Sequence, residues 1–205
     1  GYVAVPIIVW GWLFSVPVIV HEQTLVSGLA NSISNVFADK IAVTFKKKYD
    51  FPEEKTIVTG NPMREEILNP KELSTEFKKL FSLKLPVILI TGGNQGSHII
   101  NENLQKILPG LNNNFAVIHQ TGDSKFQDFE KLEEERKNLK YPERYLVKKW
   151  ISGEDWGGIL KHIDLAISRA GANTLLEFAY FGVPAILIPL PYISKDEQNV
   201  NARFF

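Results

Sequence analysis

Cysteine is absent from all 205 residues. That excludes disulfides, a cysteine nucleophile and thiolate metal ligation, and it fits a reducing compartment. Excess charge is absent too. Lysine plus arginine and aspartate plus glutamate number 23 each, so no global field favours nucleic acid or an acidic surface. His98, His119 and His162 are scattered without ligand spacing, which argues against a metal site. An uninterrupted apolar run of bilayer length is also missing. The longest, Val5 to Val20, is broken by Pro6, Gly11, Ser15 and Pro17, whereas a spanning helix needs roughly 20 apolar residues. The run reads as a short helix, a turn and a buried strand; the alternative makes Trp10, Trp12 and Phe14 part of an interfacial patch. Methionine occurs only at Met63, and the stretch from Glu197 to Phe205 reads as helix up to the last residue. Together these predict an internal piece of a longer protein.

What is present is the composition of a globular chain, 44% hydrophobic and 22% charged. The pattern predicts helix near Val3–Phe14, strand Val16–Val20, helix near Val26–Phe37, and strands Lys40–Thr44 and Thr56–Val58. Gly60-Asn61-Pro62 breaks the pattern, because proline disfavours a helical Asn61. The polar stretch Arg64–Ser82 has helical character and little core. A domain junction is expected here, giving a first part at 1–62 and a second at 63–205. Beyond it the rhythm is regular: strand Val87–Ile90, helix Ser97–Leu108, strand Phe115–His119 and helix Lys125–Asn138. Strand Tyr145–Lys148, helix Glu154–His162, strand Leu165–Ile167, helix Thr174–Phe181 and strand Ala185–Pro189 complete it. Short apolar strands alternating with helices imply an α/β fold with a parallel sheet covered on both faces.

Two strands run directly into glycine-bearing turns that reopen as helices. These are Thr91-Gly92-Gly93-Asn94-Gln95-Gly96-Ser97 and Ser168-Arg169-Ala170-Gly171-Ala172-Asn173-Thr174. Such turns deliver backbone N–H groups and a helix N-terminus to one sheet edge, which suits a phosphate or diphosphate. The first fails as a dinucleotide fingerprint: Thr91 stands where the first glycine should be, and the next strand ends in His119-Gln120 without an acidic residue. It is no Walker loop either. Spacing alone leaves phosphate binding and plain tight packing evenly matched. On the second turn, Glu177 follows Thr174 by three residues. It could accept ribose hydroxyls, but spacing favours a capping box with Thr174 as the cap.

Gly60-Asn61-Pro62-x-Arg64, Thr91-Gly92-Gly93-x-Gln95-Gly96 and His119-Gln120-Thr121-Gly122 resemble motifs of the MurG family. So do Ser168-Arg169-x-Gly171-Ala172-x-Thr174-x-x-Glu177, Pro189-Leu190-Pro191-Tyr192 and Asp196-x-Gln198-x-x-Asn201-Ala202. His21-Glu22-Gln23 with Gly28-Leu29-x-Asn31 is similar as well, and the series keeps the family's order. The resemblance implies an α/β, GT-B type architecture of two Rossmann-like domains, the first incomplete. It also implies inverting transfer of N-acetylglucosamine from UDP-N-acetylglucosamine to lipid I, forming lipid II in peptidoglycan synthesis. No cofactor is expected. The partners implied are the UDP-sugar, the undecaprenyl-linked acceptor and the cytoplasmic face of the bacterial plasma membrane, where the protein would be peripheral.

By the same resemblance, Glu177 binds the ribose, and Ala172, Asn173, Thr174, Leu175 and Leu176 line the donor nucleotide. Gly92, Gly93, Gln95 and Gly96 form the phosphate loop, with Asn94 where the family usually has serine. Arg64 approaches the diphosphate, to which its always-charged fork is suited. Ile151 meets the uracil through its main chain, and Gln198 reads the sugar hydroxyls. Thr24 replaces the usual asparagine at the donor site, while Ala170 and Glu197 also depart from the family pattern. His21 and Glu22 belong either to the acceptor cleft or to the fold, as a core histidine and a helix-end partner. The catalytic base is expected in a preceding segment, so the chain alone is expected to be inactive. Two other classes fit part of the pattern: another UDP-sugar enzyme of the same fold, such as a UDP-N-acetylglucosamine 2-epimerase or a glycolipid glycosyltransferase, and a non-catalytic UDP-sugar-binding protein.

Overall fold

The computed structural model describes residues 1–190 and 196–205, so Pro191 and Tyr192 of the sequence motif lie outside the described residues. The chain forms two compact units, one of Gly1–Pro62 with Leu190–Phe205 and one of Met63–Pro189.

The first unit holds α1 (Ala4–Leu13), β1 (Ile19–Glu22), α2 (Leu29–Ser34), β2 (Lys40–Val43), β3 (Thr56–Val58) and α9 (Glu197–Phe204). Its three strands are parallel in the order β1-β2-β3. Val20, Ala38, Ile41, Val43, Tyr49 and Phe51 make the core. Phe204 of α9 stands edge-on to Phe45 at 5.2 Å between ring centroids.

The expected burial of Val5–Val20 is corrected for its helical part, whereas Val20 is buried as expected. α1 has no buried residue, and Trp10, Trp12 and Phe14 are exposed. A helix apolar on every side gives the sequence no stripe from which to infer its buried face. The first strand also starts later than Val16. Pro17 lacks an N–H, the Val18 N–H donates to the Asp39 carboxylate at 2.8 Å, and ladder pairing begins at Ile19 with Lys40. α2 is shorter than expected because Ser27 and Gly28 remain outside it, Gly28 being its extended N-cap.

The second unit begins with α3 (Glu65–Leu68) and α4 (Thr75–Ser82), split by Pro70. Ile67, Phe77 and Leu80 are buried, so this stretch contributes more core than its polarity suggested. The sheet strands are β4 (Val87–Thr91), β5 (Ala116–Gln120), β6 (Tyr145–Lys148), β7 (Leu165–Ser168) and β8 (Ala185–Leu187). The helices α5 (His98–Asn112), α6 (Asp128–Lys137), α7 (Gly153–Leu160) and α8 (Ala172–Phe181) connect them. All pairings are parallel, in the order β6-β5-β4-β7-β8. β4 and β5 are buried at every position, which is why Val87–Ile90 and Ala116–Ile118 read as apolar runs.

A buried polar chain crosses this core. The Asn101 Nδ2 donates to Asp128 Oδ2 at 2.9 Å and to the Thr121 carbonyl at 3.1 Å, so Asn101 Oδ1 must accept from His119 Nε2 at 3.0 Å. His119 Nδ1 then accepts from the Tyr145 hydroxyl at 2.9 Å. Ser124 and His98 complete the shell around Asp128, each at 2.8 Å. Every member has a partner, as a buried network requires. Burial drives the His119 pKa from its ordinary 6.5 to about 3, against the opposing pull of the Asp128 charge.

His119 is therefore neutral when folded and takes up its proton on unfolding at mildly acidic pH. The unfolded state binds the extra proton between pH 6.5 and about 3. Stability is complete above pH 6.5 and falls through that window, by at most about 1.4 kcal/mol per pH unit. Urea denaturation at pH 7.5, 5.5 and 4.5 should show this slope, and His119→Gln should flatten it.

Candidate functional site

Parallel strands all finish on one edge, so the five loops that follow them share it. Along the chain, β4, β5 and β6 step outward in one direction, and β7 and β8 step outward in the other. The strand order thus reverses between β4 and β7, which pair through Thr91 and Ser168. In open α/β sheets the crevice at such a reversal, outside the carboxyl ends, is where ligands bind. The two glycine-bearing turns are the loops that flank it.

The first turn does two jobs, divided residue by residue. Gly92 and Gly96 are buried, and a Cβ on Gly92 would strike the backbone of Gly96 and Ser97. Gly96 has φ +72°, and a Cβ there would strike the Thr121 carbonyl; Gly122, at φ +71°, meets Gly96 in return. Close packing between the loops after β4 and β5 therefore accounts for Gly96 and Gly122, and the tight fold of the first turn on itself accounts for Gly92. Gly93, Asn94 and Gln95 form the accessible tip. The Gly93 N–H donates to Thr91 Oγ1 at 3.0 Å, and the Gly96 N–H to the Gly93 carbonyl at 3.0 Å. α5 is capped by Ser97, whose hydroxyl accepts from the Ile100 N–H.

The second turn is built differently. α8 starts on Gly171, an extended N-cap without a side-chain hydrogen bond. This overturns the capping-box reading: Thr174 lies inside the helix and does not cap it. The helix N-terminus carries the positive end of the dipole, a suitable place for an anion. Arg169, half-buried on the same turn, has its pKa drawn down by burial. Below it, the buried Ser168 hydroxyl finds no hydrogen-bond partner among the described residues. Asn173 is exposed, Thr174, Leu176 and Glu177 are half-buried, and Ala172 and Leu175 are buried. Leu175 belongs to the core and has chiefly its main chain to offer.

Glu177 is the distinctive group. Its Oε2 accepts the indole N–H of Trp156, a buried residue of α7, at 2.8 Å. Burial raises its pKa, while the Trp156 hydrogen bond and the Arg64 charge pull it down. Arg64 is exposed, forms an ion pair with Glu66 at 2.9 Å, and lies with Glu66 over Gly153 at the start of α7. A held, partly desolvated carboxylate beside a guanidinium and an open helix N-terminus can accept hydroxyl donors and balance a diphosphate. Trp156 and Arg169 were not anticipated as site residues. Arg169 stood in a quoted motif, whereas nothing in sequence spacing links Trp156 to Glu177.

Ile151 follows β6, and its N–H donates to Gln120 Oε1 at 3.0 Å. Its main-chain donor is therefore already engaged.

Thr24 and Gln198 lie in the first unit. The Thr24 hydroxyl is placed to donate to Val26 O at 2.6 Å or Glu22 Oε1 at 3.0 Å. Gln198 Oε1 accepts the Leu190 N–H at 2.7 Å, leaving its NH2 group to donate elsewhere. Glu22 is buried and accepts from Gly28 N at 2.8 Å and Asn31 Nδ2 at 3.1 Å, so it is the helix-end partner of α2. His21 Nε2 lies 3.1 Å from the Gly60 carbonyl. Burial raises the pKa of Glu197, and the nearby Glu22 charge adds to the effect.

Comparison with known proteins gives a consistent picture. The glycosyltransferase family 28 C-terminal domain matches residues 87–205. A UDP-N-acetylglucosamine–N-acetylmuramyl-(pentapeptide) pyrophosphoryl-undecaprenol N-acetylglucosamine transferase of Bacillus thuringiensis is 39% identical over 207 residues, covering 100% of this chain and 56% of the relative. A Listeria monocytogenes protein of the same name is 37% identical, covering 99% of this chain and 55% of the relative. The crystal structure of Acinetobacter baumannii MurG aligns with TM-score 0.70 and 32% identity, covering 100% of this chain and 55% of that one. The chain thus spans about half the length of the relatives it matches.

The interlocked glycines give a direct test. Gly96→Ala should destabilise the second unit by about 2–4 kcal/mol, through backbone collision and positive φ. Gly110→Ala, where a Cβ meets nothing within 4 Å on α5, should be neutral or stabilising by up to about 1 kcal/mol. Denaturation midpoints of the two variants compare them.

Proposed function

Since the chain belongs to the glycosyltransferase family 28 C-terminal domain family, we propose that its second unit binds the nucleotide of a UDP-sugar donor. The observation that carries this is the Glu177 carboxylate, fixed by Trp156 at 2.8 Å, on the helix that opens at the strand-order reversal. In this reading Glu177 accepts the ribose hydroxyls, and the Ile151 carbonyl meets the uracil. The diphosphate lies at the N-terminus of α8, near Ala172, Asn173 and Thr174, with Asn94 and Gln95 at the tip of the first turn and Arg64 as its counter-charge.

The relatives' names describe N-acetylglucosamine transfer to the N-acetylmuramyl-pentapeptide pyrophosphoryl-undecaprenol acceptor, and we carry that activity to the whole protein from which this chain derives its similarity. The donor is then UDP-N-acetylglucosamine, the acceptor lipid I and the product lipid II. As the acceptor hydroxyl attacks the anomeric carbon, the bond to the diphosphate breaks and negative charge grows on the leaving UDP. Fixed dipoles and cations aimed at that charge lower the barrier without reorganising. Arg64 and the first turn of α8 are suited to this. No residue of this chain is assigned as the base.

A lipid-linked acceptor calls for action at a membrane surface. No helix among the described residues is long and apolar enough to cross one. α1 exposes Trp10 and Trp12, with Phe14 following as its C-cap; tryptophan suits the interfacial zone, which supports peripheral attachment to a membrane surface.

Titration calorimetry with UDP-N-acetylglucosamine, UDP-glucose and ADP tests the donor reading. The first should bind most tightly. Glu177→Ala should weaken it about tenfold or more, the loss of one or two hydrogen bonds to a charged acceptor. Trp156→Phe, which keeps an aromatic side chain but loses the indole N–H and part of its volume, should cost several-fold. Equal affinity for all three ligands would remove the basis for a uridine and sugar site.

A further inference from the structure

Gln120 closes β5 and is buried, and its polar side chain has to find partners there. Its amide reaches the loops on both sides of its own strand. Oε1 accepts the Ile151 N–H at 3.0 Å, in the loop after β6. Nε2 donates to the Gly93 carbonyl at 3.3 Å, in the turn after β4, and lies 3.5 Å from Thr91 Oγ1. The two ends of one rigid planar group therefore fix the distance between two segments that no ladder hydrogen bond joins, because β4 and β6 flank β5 and do not pair with each other.

We propose that Gln120 is a positioning residue for the donor site, coupling the loop that would meet the base to the turn that would meet the phosphates. This rests on the donor reading given above. Gln120 touches the Ile151 N–H directly and so decides which main-chain group Ile151 presents: with the N–H engaged, a ligand meets an acceptor. A glutamine suits the task because it needs an acceptor at one end and a donor at the other. A leucine of similar bulk supplies neither, and a glutamate supplies only the acceptor. Removing the clamp leaves the Ile151 N–H unsatisfied and releases the loop, so binding must then order it at a cost.

The experiment compares the wild-type chain with Gln120→Leu and Gln120→Glu, reading UDP affinity by calorimetry, amide exchange at Ile151 by NMR, and melting temperature. In wild type the Ile151 amide should exchange slowly. In Gln120→Leu it should exchange rapidly and UDP affinity should fall about tenfold, with a melting temperature within a few degrees of wild type. Gln120→Glu keeps the acceptor for Ile151 but loses the donor to Gly93, so Ile151 should stay protected while affinity falls by about three- to fivefold, less than in Gln120→Leu. UDP affinity unchanged in Gln120→Leu would overturn the proposal and leave the donor reading intact. Loss of affinity in both variants in step with melting temperature would reduce Gln120 to a structural residue and overturn it as well. If Gln120→Leu does not fold, rapid Ile151 exchange in folded Gln120→Glu overturns it and slow exchange supports it. Failure of the wild-type chain to bind UDP would instead remove the donor reading itself.

Discussion

Five parallel strands must end on the same edge, and a strand order that reverses beside β4 forces the turns after β4 and β7 next to each other. That constraint governs the rest of the second unit. It brings the uncapped N-terminus of α8 and the glycine-rich tip of the first turn to the same sheet edge. The hydrophobic runs of β4 and β5 have to be buried on both faces for this to hold, and they are.

The edge is stiffened from below and from within. Below it, the chain from Tyr145 through His119 and Asn101 to Asp128 anchors α5 and α6 to the sheet, and Asn101 also holds the Thr121 carbonyl. Within it, Gly96 and Gly122 bring two loops into backbone contact that no other residue would permit. Gln120 spans the neighbouring gap. A site for a charged, flexible ligand gains from such rigidity, because binding then orders little besides the ligand.

Much of this was legible in the residues. The β–α alternation after Val87 followed from short apolar strands and appears as expected, because strands buried on both faces leave an unmistakable run. The chain before Val87 was harder. α1 is apolar all round, so its exposure could not be inferred from periodicity, and the Arg64–Ser82 stretch hid Ile67, Phe77 and Leu80 among charges. Thr174 and Glu177 had the spacing of a capping box, but the helix begins earlier, on Gly171. An N-cap is decided by where the strand stops, which local spacing does not encode.

By itself the sequence determined the fold class, the family resemblance and the positions of the two turns, because burial and glycine conformational freedom are properties of individual residues. Tertiary structure alone decided that Gly92 and Gly96 serve packing, that Glu22 ends in the hands of Gly28 and Asn31, and that Trp156 grips Glu177. It likewise revealed Gln120 as a bridge between two loops. The contacts of Gly96 with Thr121, of Trp156 with Glu177 and of Gln120 with Gly93 and Ile151 join segments remote in the chain, set by strand order and helix placement, and a contact across such a distance leaves no period or spacing to read.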